Sequence, residues 1–374
     1  MGEGLGERGK TRYTLPMKKP PQLSYKEAGV DIDAANATKK EMANAMQSDD
    51  PRVMNKVGAF ASLFEASFPG YKHPVLVFKT EEPGSKQLLS IKHGKVREIC
   101  EDMLHHLFND IAVMGAVPLT VQDLIVCGKM ERDVVSTMVK SMAEICRKNG
   151  CTLTGGETSE QPGTLAAGTY VLGSSVVGIV EKSGIIDGSK IKKGDRVIAV
   201  ASNGLHTNGY SLVRRLMEEK PEIVKETIND GATSVATDRG GESFLDAILK
   251  PHTNYLPGIR DLFDLPELHG MAHITGGGIA ENLDRVLPAD LDAAFDLSAL
   301  RILPIFRVIR EAGNVSDADM LRTFNMGAGL VMVADPKSAQ LIRSHLDGKG
   351  LESAVIGEIV DGKKNVRFTG NLVW

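Results

Sequence analysis

Cys151–Gly163 reads CTLTGGETSEQPG, and its interpretation decides the architecture. Cys151 to Thr154 is a short run rich in β-branched residues, the end of a strand. Gly155 and Gly156 follow, two residues without a Cβ, so the backbone is free to approach a ligand closely. Glu157, Thr158 and Glu160 add carboxylates and a hydroxyl, and Pro162-Gly163 closes the segment. Glycine amides beside hard oxygen ligands suit a polyphosphate and its Mg²⁺. A glycine turn with solvated acids accounts for the same letters.

Working outward, Asp133 to Asn149 predicts a helix with Asp133 as its cap. Its stripe is Val134, Met138, Met142 and Ile145, and Gly150 stops it. Thr169 to Lys182 predicts a long strand with internal glycines. Upstream, Val96 to Met114 predicts a helix with one apolar face of Ile99, Met103, Leu107, Ile111 and Met114. Asp110 borders that face, where a carboxylate needs a cation or a metal, or a cap at a helix break. His105 and His106 are adjacent, point apart, and read as ordinary helix residues. Pro74 to Phe78 (PVLVF) predicts a buried strand running into Lys79-Thr80-Glu81-Glu82-Pro83-Gly84-Ser85-Lys86. That loop suits phosphate and metal chemistry, or is a charged hairpin.

The first 24 residues read as a mobile arm, or as sequence upstream of a later start, and lack the apolar core of a signal peptide. Met17 offers a second start. After Tyr25, Asp33 or Asn36 is placed to cap a helix near Ala37. At 374 residues the chain holds two domains. The apolar share of 42% is that of a globular protein, and the net charge of −4 argues against a nucleic-acid surface driven by bulk charge, though not against a local basic patch. Cys100, Cys127, Cys146 and Cys151 form no CxxC pair, so neither a disulfide framework nor a cysteine zinc site is indicated, and a cytoplasmic setting fits. No apolar run reaches the ~18 residues of a membrane span.

Ser183 to Gly194 (SGIIDGSKIKKG) marks the boundary. Beyond it, strands at Asp195–Ser202, Met271–Thr275, Gly327–Ala334 and Ser353–Val360 alternate with helices. The helices are Tyr210–Glu219, Ser243–Lys250, Ile279–Leu287 and one opened by Asp335-Pro336 and ending near Gly348. This alternation predicts an α/β or α+β domain. Two of its loops carry chemistry. Asn203-Gly204-Leu205-His206-Thr207-Asn208-Gly209 places an imidazole that titrates near neutrality at a helix start. His273-Ile274-Thr275-Gly276-Gly277-Gly278 runs a strand into three glycines, an anion cradle of free amides. It has neither P-loop nor dinucleotide-fold spacing. A tight strand-to-helix turn explains either loop without a ligand.

YKEAGVDIDAANA, FNDIAVMGAVPL, GGETSEQPG, VVGIVEKSGIIDGSKIKKGD, GLHTNGYSLVR, HITGGGIAENLDRVLP and RTFNMGAGLVM occur in that order. From Tyr25 to the C-terminus the chain resembles phosphoribosylformylglycinamidine cyclo-ligase, the aminoimidazole ribonucleotide synthetase family. The resemblance implies an α/β (α+β) protein of two domains. Residues 25–188 would carry a mixed sheet with helices, the ATP site and the dimer contact. Residues 189–374 would form an α/β domain for the substrate, formylglycinamidine ribonucleotide. The implied reaction phosphorylates the formyl amide oxygen, after which an amine nitrogen attacks that carbon and phosphate leaves. Lys26, Asp110, His206 and Asn208 match catalytic positions. Glu81, Lys86, Asp110, Gly155, Gly156 and Glu157 match ATP-binding ones, and Glu81, Asp110 and Glu157 would hold Mg²⁺. Thr207 and Gly276 to Gly278 would bind substrate.

One loop departs from the family. Glu81-Glu82-Pro83-Gly84-Ser85-Lys86 stands where Asp-Gly-Val-Gly-Thr-Lys is usual, so Glu81 replaces an aspartate, Glu82 removes a glycine and Pro83 stiffens the turn. Selenophosphate synthetase, thiamine-monophosphate kinase and a hydrogenase maturation protein share the ATP loop and are the alternatives, as is an inactive nucleotide-binding relative. HTNGYSLVR and HITGGGIAENL favour the cyclo-ligase.

Overall fold

The computed structural model describes residues 40–55, 58–228 and 241–374. Lys26, Asp33, Asn36 and the arm lie outside them. The described chain opens in helix α1 (residues 40–45). Next come β1 (Pro74–Glu81), α2 (Lys86–Lys92), α3 (Val96–Ala112), β2 (Val117–Cys127), α4 (Arg132–Lys148), β3 (Thr152–Glu160) and β4 (Tyr170–Glu181). These strands form one sheet in the order β1-β4-β2-β3, in which only β2 and β3 run parallel. Strand alternation sends one side chain in two to each face. One face packs on α3 and α4 through Val121, Ile125, Leu172 and Val176, against Ile99, Met103, Leu107 and Met142.

The other face is open. Leu76, Phe78, Leu124 and Val171 stand on it, with Phe78 71% exposed. The run Pro74–Phe78 is therefore not a buried strand: it alternates between half-covered and exposed positions along β1. The Gly-Gly-Glu segment is not a loop either. Strand β3 continues through it, with Gly155 opposite Gln122, Gly156 opposite Asp123 and Glu157 opposite Leu124. A Cβ on Gly156 would lie 2.2 Å from the Asp123 carbonyl, and one on Gly155 would lie 3.0 Å from Ser62 Oγ. Packing on both sides requires the glycines. Strand β2 has no continuous apolar run, because Gln122 and Asp123 interrupt it; register against β4 completes it. Helix α4 begins one residue early, with Glu131 at the cap position and Asp133 in the first turn.

The second half builds β5 (Arg196–Ala201), α5 (Tyr210–Glu219), β6 (Thr227–Ile228), β7 (Glu242–Ser243), α6 (Phe244–Ile248), α7 (Leu256–Ile259), β8 (Leu268–His273), α8 (Gly278–Leu283), β9 (Leu291–Asp296), α9 (Pro304–Gly313), α10 (Asp317–Thr323), β10 (Ala328–Ala334), α11 (Ala339–Gly348), β11 (Ser353–Asp361) and β12 (Val366–Thr369). Its six-stranded sheet runs β12-β9-β11-β5-β10-β8, antiparallel except for β12 beside β9. Ser243 caps α6 by accepting from the Asp246 amide. Asp335-Pro336 forms a turn instead of opening α11, which starts at Ala339.

The two sheets share one apolar layer. Ile198, Val200, Leu330 and Met332 of the second sheet belong to the same cluster as Leu104, Phe108 and Ile111 of α3, bridged by Tyr255 and Leu256 at α7. The outer face packs separately on α5, α8 and α9, with Val197, Val331 and Val333 against Val213, Ile279 and Phe306. This arrangement presses the C-terminal half of α3 against the loops at one end of the second sheet.

Candidate active site at the seam between the two sheets

Four stretches of chain meet beside α3. Strand β1 contributes Lys79 and Glu81. Helix α3 contributes His106 and Asp110, one turn apart and therefore on one face. The second half contributes His206 and Thr207 after β5, His252 before α7, and His273 at the end of β8. Lys79 Nζ lies 2.6 Å from Glu81 and 3.0 Å from Asp110. The His273 Nδ1–H donates to the other oxygen of Asp110 at 2.7 Å. His252 Nε2 meets His273 Nε2 at 2.9 Å, and the His206 ring stacks on His252 with centroids 3.9 Å apart.

Proton affinities follow from that crowding. Burial opposes the charge on Asp110, yet the His273 hydrogen bond, His106 and Lys79 outweigh it and hold the carboxyl well below its usual range. Burial, reinforced by His273, lowers His106 to about 4. His206 and His252 fall well below the ordinary histidine value, first through burial and then through their neighbouring imidazoles. Both rings are neutral near pH 7, and the His206 Nε2 lone pair accepts the Thr253 amide at 3.4 Å.

The loop holding His206 is set from below. Lys86 is fully buried. Its ammonium donates to Asp102 at 2.8 Å, to the His206 carbonyl at 3.0 Å and to the Lys250 carbonyl at 2.5 Å. The backbone N–H of His252 donates to the same Asp102 oxygen at 2.9 Å. Asn325 donates to the Gly204 carbonyl at 2.9 Å. His206 takes φ 60°, a left-handed conformation that costs a non-glycine residue about 1–3 kcal/mol and persists only when its surroundings hold it. The Lys86 ammonium is thus enclosed by three protein acceptors. It ties the two histidine loops to α2 and α3, a place that motif matching assigned to ATP.

Glu81 and Asp110 bracket a single cation position on the helix-facing side of the first sheet. Glu157 does not join them, since its cross-strand partner Leu124 places it on the open face. On that side Thr80, Gln122, Gly155, Gly156, Glu157 and Ser175 line a groove of about 690 Å³, bounded by Phe60 and Ser62. Asp123, missing from the sequence-derived set, borders it. Burial, and secondarily Glu157, pushes its carboxyl up to about 7, and one of its oxygens has no partner. An acid at a core-facing strand position was the available signal. Adjacency to His105 argues for an ordinary helix residue at His106, yet its spacing of four from Asp110 sets the two on one face; His252, between Pro251 and Thr253, has no motif around it.

At the third glycine turn, Asn282 Nδ2 donates to the carbonyls of Gly276 and Gly278, at 3.2 and 2.8 Å. Among the described residues no acceptor lies on the Gly276 or Gly277 amide. Gly277 and Gly278 have φ of 93° and 64°. Asn208 reaches this turn, with Oδ1 3.4 Å from where a Gly276 Cβ would sit, and its buried Nδ2 has no partner. Thr207 Oγ1 lies 3.4 Å from His106 Nδ1, so it faces the histidine cluster and not the glycines. Helix α8 has only six residues, so the amides themselves and not a long dipole make the cradle.

The two halves of the chain, each built on its own sheet, fall in the AIR synthase related class. The profile described as AIR synthase related protein, N-terminal domain, matches residues 71–180, and the one described as its C-terminal domain matches residues 192–369. Within that class, the chain belongs to the phosphoribosylformylglycinamidine cyclo-ligase family. It is 38% identical to the cyclo-ligase of Nitrosococcus oceani over 366 residues, 96% of this chain and 99% of the relative. It is 39% identical to that of Methylobacillus flagellatus over 338 residues, 90% and 94% of the two chains. Among solved structures, E. coli HypE superposes with a TM-score of 0.63 at 18% identity, covering 90% of this chain and 94% of that one. Thiamine-monophosphate kinase from Stenotrophomonas maltophilia gives 0.59 at 18%, covering 91% and 96%. These two show the shared fold. Among the described residues no helix is long and apolar enough to cross a membrane.

Proposed function

We propose that this chain closes the imidazole ring of aminoimidazole ribonucleotide. It would use ATP to activate the formyl oxygen of formylglycinamidine ribonucleotide and release ADP and phosphate. The observation that carries this reading is the likeness to named cyclo-ligases along 96% of the chain. The site chemistry agrees with it. Phosphoryl transfer asks mainly for positioning and charge neutralisation, and Lys79 supplies a cation between two acids. A solved HypE complex with ATP has the same fold at a TM-score of 0.56, which is compatible with nucleotide use.

The oxygen donors of Glu81 and Asp110 fit Mg²⁺, which prefers carboxylates and phosphates and would neutralise the transferring group. Lys79 must turn aside for both acids to serve it. Gly155, Gly156 and Glu157 would border the adenosine or phosphate groove on the open face. The Gly276 and Gly277 amides with Asn208 Nδ2 would take the ribose phosphate. His206, neutral and held by the Lys86 tie, would accept the proton that the attacking nitrogen loses. Asp110 would fix the tautomer of His273, leaving its Nε2 as an acceptor.

The open sheet face supports a homodimer. Leu76, Phe78, Leu124 and Val171 form an apolar strip that a second copy would cover, placing the Glu157 groove at the contact. The direct test is ATP-dependent formation of aminoimidazole ribonucleotide from the formyl-amidine substrate. ATP hydrolysis without ring closure, or no turnover with a folded dimer, would overturn the assignment.

A further inference from the structure

His206, His252 and His273 each present a ring nitrogen within 4.8 Å of the others, and all three residues are buried. His206 Nε2 accepts the Thr253 amide N–H at 3.4 Å, so an ion on that nitrogen would displace this hydrogen bond. The His273 Nδ1–H donates to Asp110, so His273 Nε2 carries a lone pair and faces His252 Nε2 at 2.9 Å. His252 Nδ1 and His206 Nδ1 are buried with no partner. A buried ring nitrogen without a partner is unfavourable, and a ligand that accepts or supplies the missing contact removes that penalty.

We propose that these three histidines form a site for a transition-metal ion of the zinc type, separate from the carboxylate position suited to Mg²⁺. Three neutral imidazoles are ligands for Zn²⁺, Co²⁺ or Ni²⁺, whereas Mg²⁺ selects oxygen. A Zn–N bond is about 2.0–2.1 Å, so two nitrogens on one ion stand at most ~4 Å apart. The closest pair is already inside that limit, and the widest needs a shift below about 1 Å. Asp110 completes the pattern of a ligating histidine whose second nitrogen is held by a carboxylate. His106, Asp110 and His273 form a second close group sharing His273, and it opens toward the half-exposed Lys79, through which an ion would arrive. The ion would occupy the lone pairs of His206 and His273, so the proton transfer assigned to His206 belongs to the metal-free chain. Binding itself stands whether or not the ring-closing assignment holds.

The test uses the full chain without an affinity tag, stripped with chelator and titrated with Co²⁺. The expected result is about one Co²⁺ per chain with the ligand-field absorption of a nitrogen-bound ion, displaced by Zn²⁺. H252Q loses the band, while H93Q, which alters an exposed histidine, and H106Q keep it. D110N keeps the band with affinity roughly 10–100-fold weaker, so the site remains testable even if H252Q does not fold. No band in the parent, an equal band in H252Q, loss in H106Q, or unchanged affinity in D110N would overturn the proposal.

Discussion

Lys86→Met separates a structural tie from a nucleotide contact. The ammonium is fully buried between the Asp102 carboxylate and the carbonyls of His206 and Lys250. Removing one partner of a buried pair leaves the other charge uncompensated, at about 3–5 kcal/mol. The two carbonyls also lose their donor. Typical stabilities are only 5–15 kcal/mol, so the loss is large in urea unfolding followed by circular dichroism. The deficit depends on pH with a definite sign. Burial already pushes Asp102 up to about 7, and without Lys86 it rises further. An acid whose folded pKa exceeds its unfolded value withdraws stability as pH climbs through that window. K86M is therefore closer to the parent at pH 5 than at pH 8. K86M/D102L, which replaces the pair with apolar side chains, recovers most of the loss. ATP affinity changes little in the folded fraction, while kcat falls because the His206 loop loosens. A stability loss below about 1 kcal/mol, or a raised KM for ATP at unchanged stability, would refute the argument and return Lys86 to the nucleotide.

Other outcomes follow from the same geometry. Asp110→Asn releases both Lys79 and the His273 tautomer, and turnover drops roughly 10²–10⁴-fold; near-parental kcat at saturating Mg²⁺ would contradict it. Asn208→Ala removes the buried Nδ2 that has no partner beside the glycine turn and raises the KM for the substrate roughly 5- to 150-fold through about 1–3 kcal/mol of lost hydrogen bonding, with ATP kinetics unchanged; Gly277→Val is a poorer probe because its φ of 93° strains any side chain. Phe78→Glu places a charge on the open apolar strip, and light scattering shifts from about twice the 40.2 kDa chain mass to the single-chain value; an unaltered dimer would remove that face from the interface. Asp123→Asn abolishes a decline in stability between about pH 4 and pH 7, since the parent acid has its folded pKa raised to about 7; identical pH profiles would show that this carboxyl is not buried in solution.

Much of this protein is determined by local sequence. Helix α3 follows from apolar residues at spacings of three and four, and α5 from Tyr210 to the stop before Pro221. The ordered motifs carry the family, and Asp110, His206, Asn208 and the glycine turn are legible because loop chemistry is written in adjacent letters. Tertiary structure decided the rest. Gly155 and Gly156 became strand rather than loop because β2 supplies register partners 33 positions away in the chain. Lys86 became a buried tie because Asp102 and two distant carbonyls enclose it. His106 and His252 entered the site only when the second sheet docked on α3, bringing together rings separated by 146 residues. Such convergence leaves no local pattern, since a periodicity records which face of an element is apolar and not which other element will cover it.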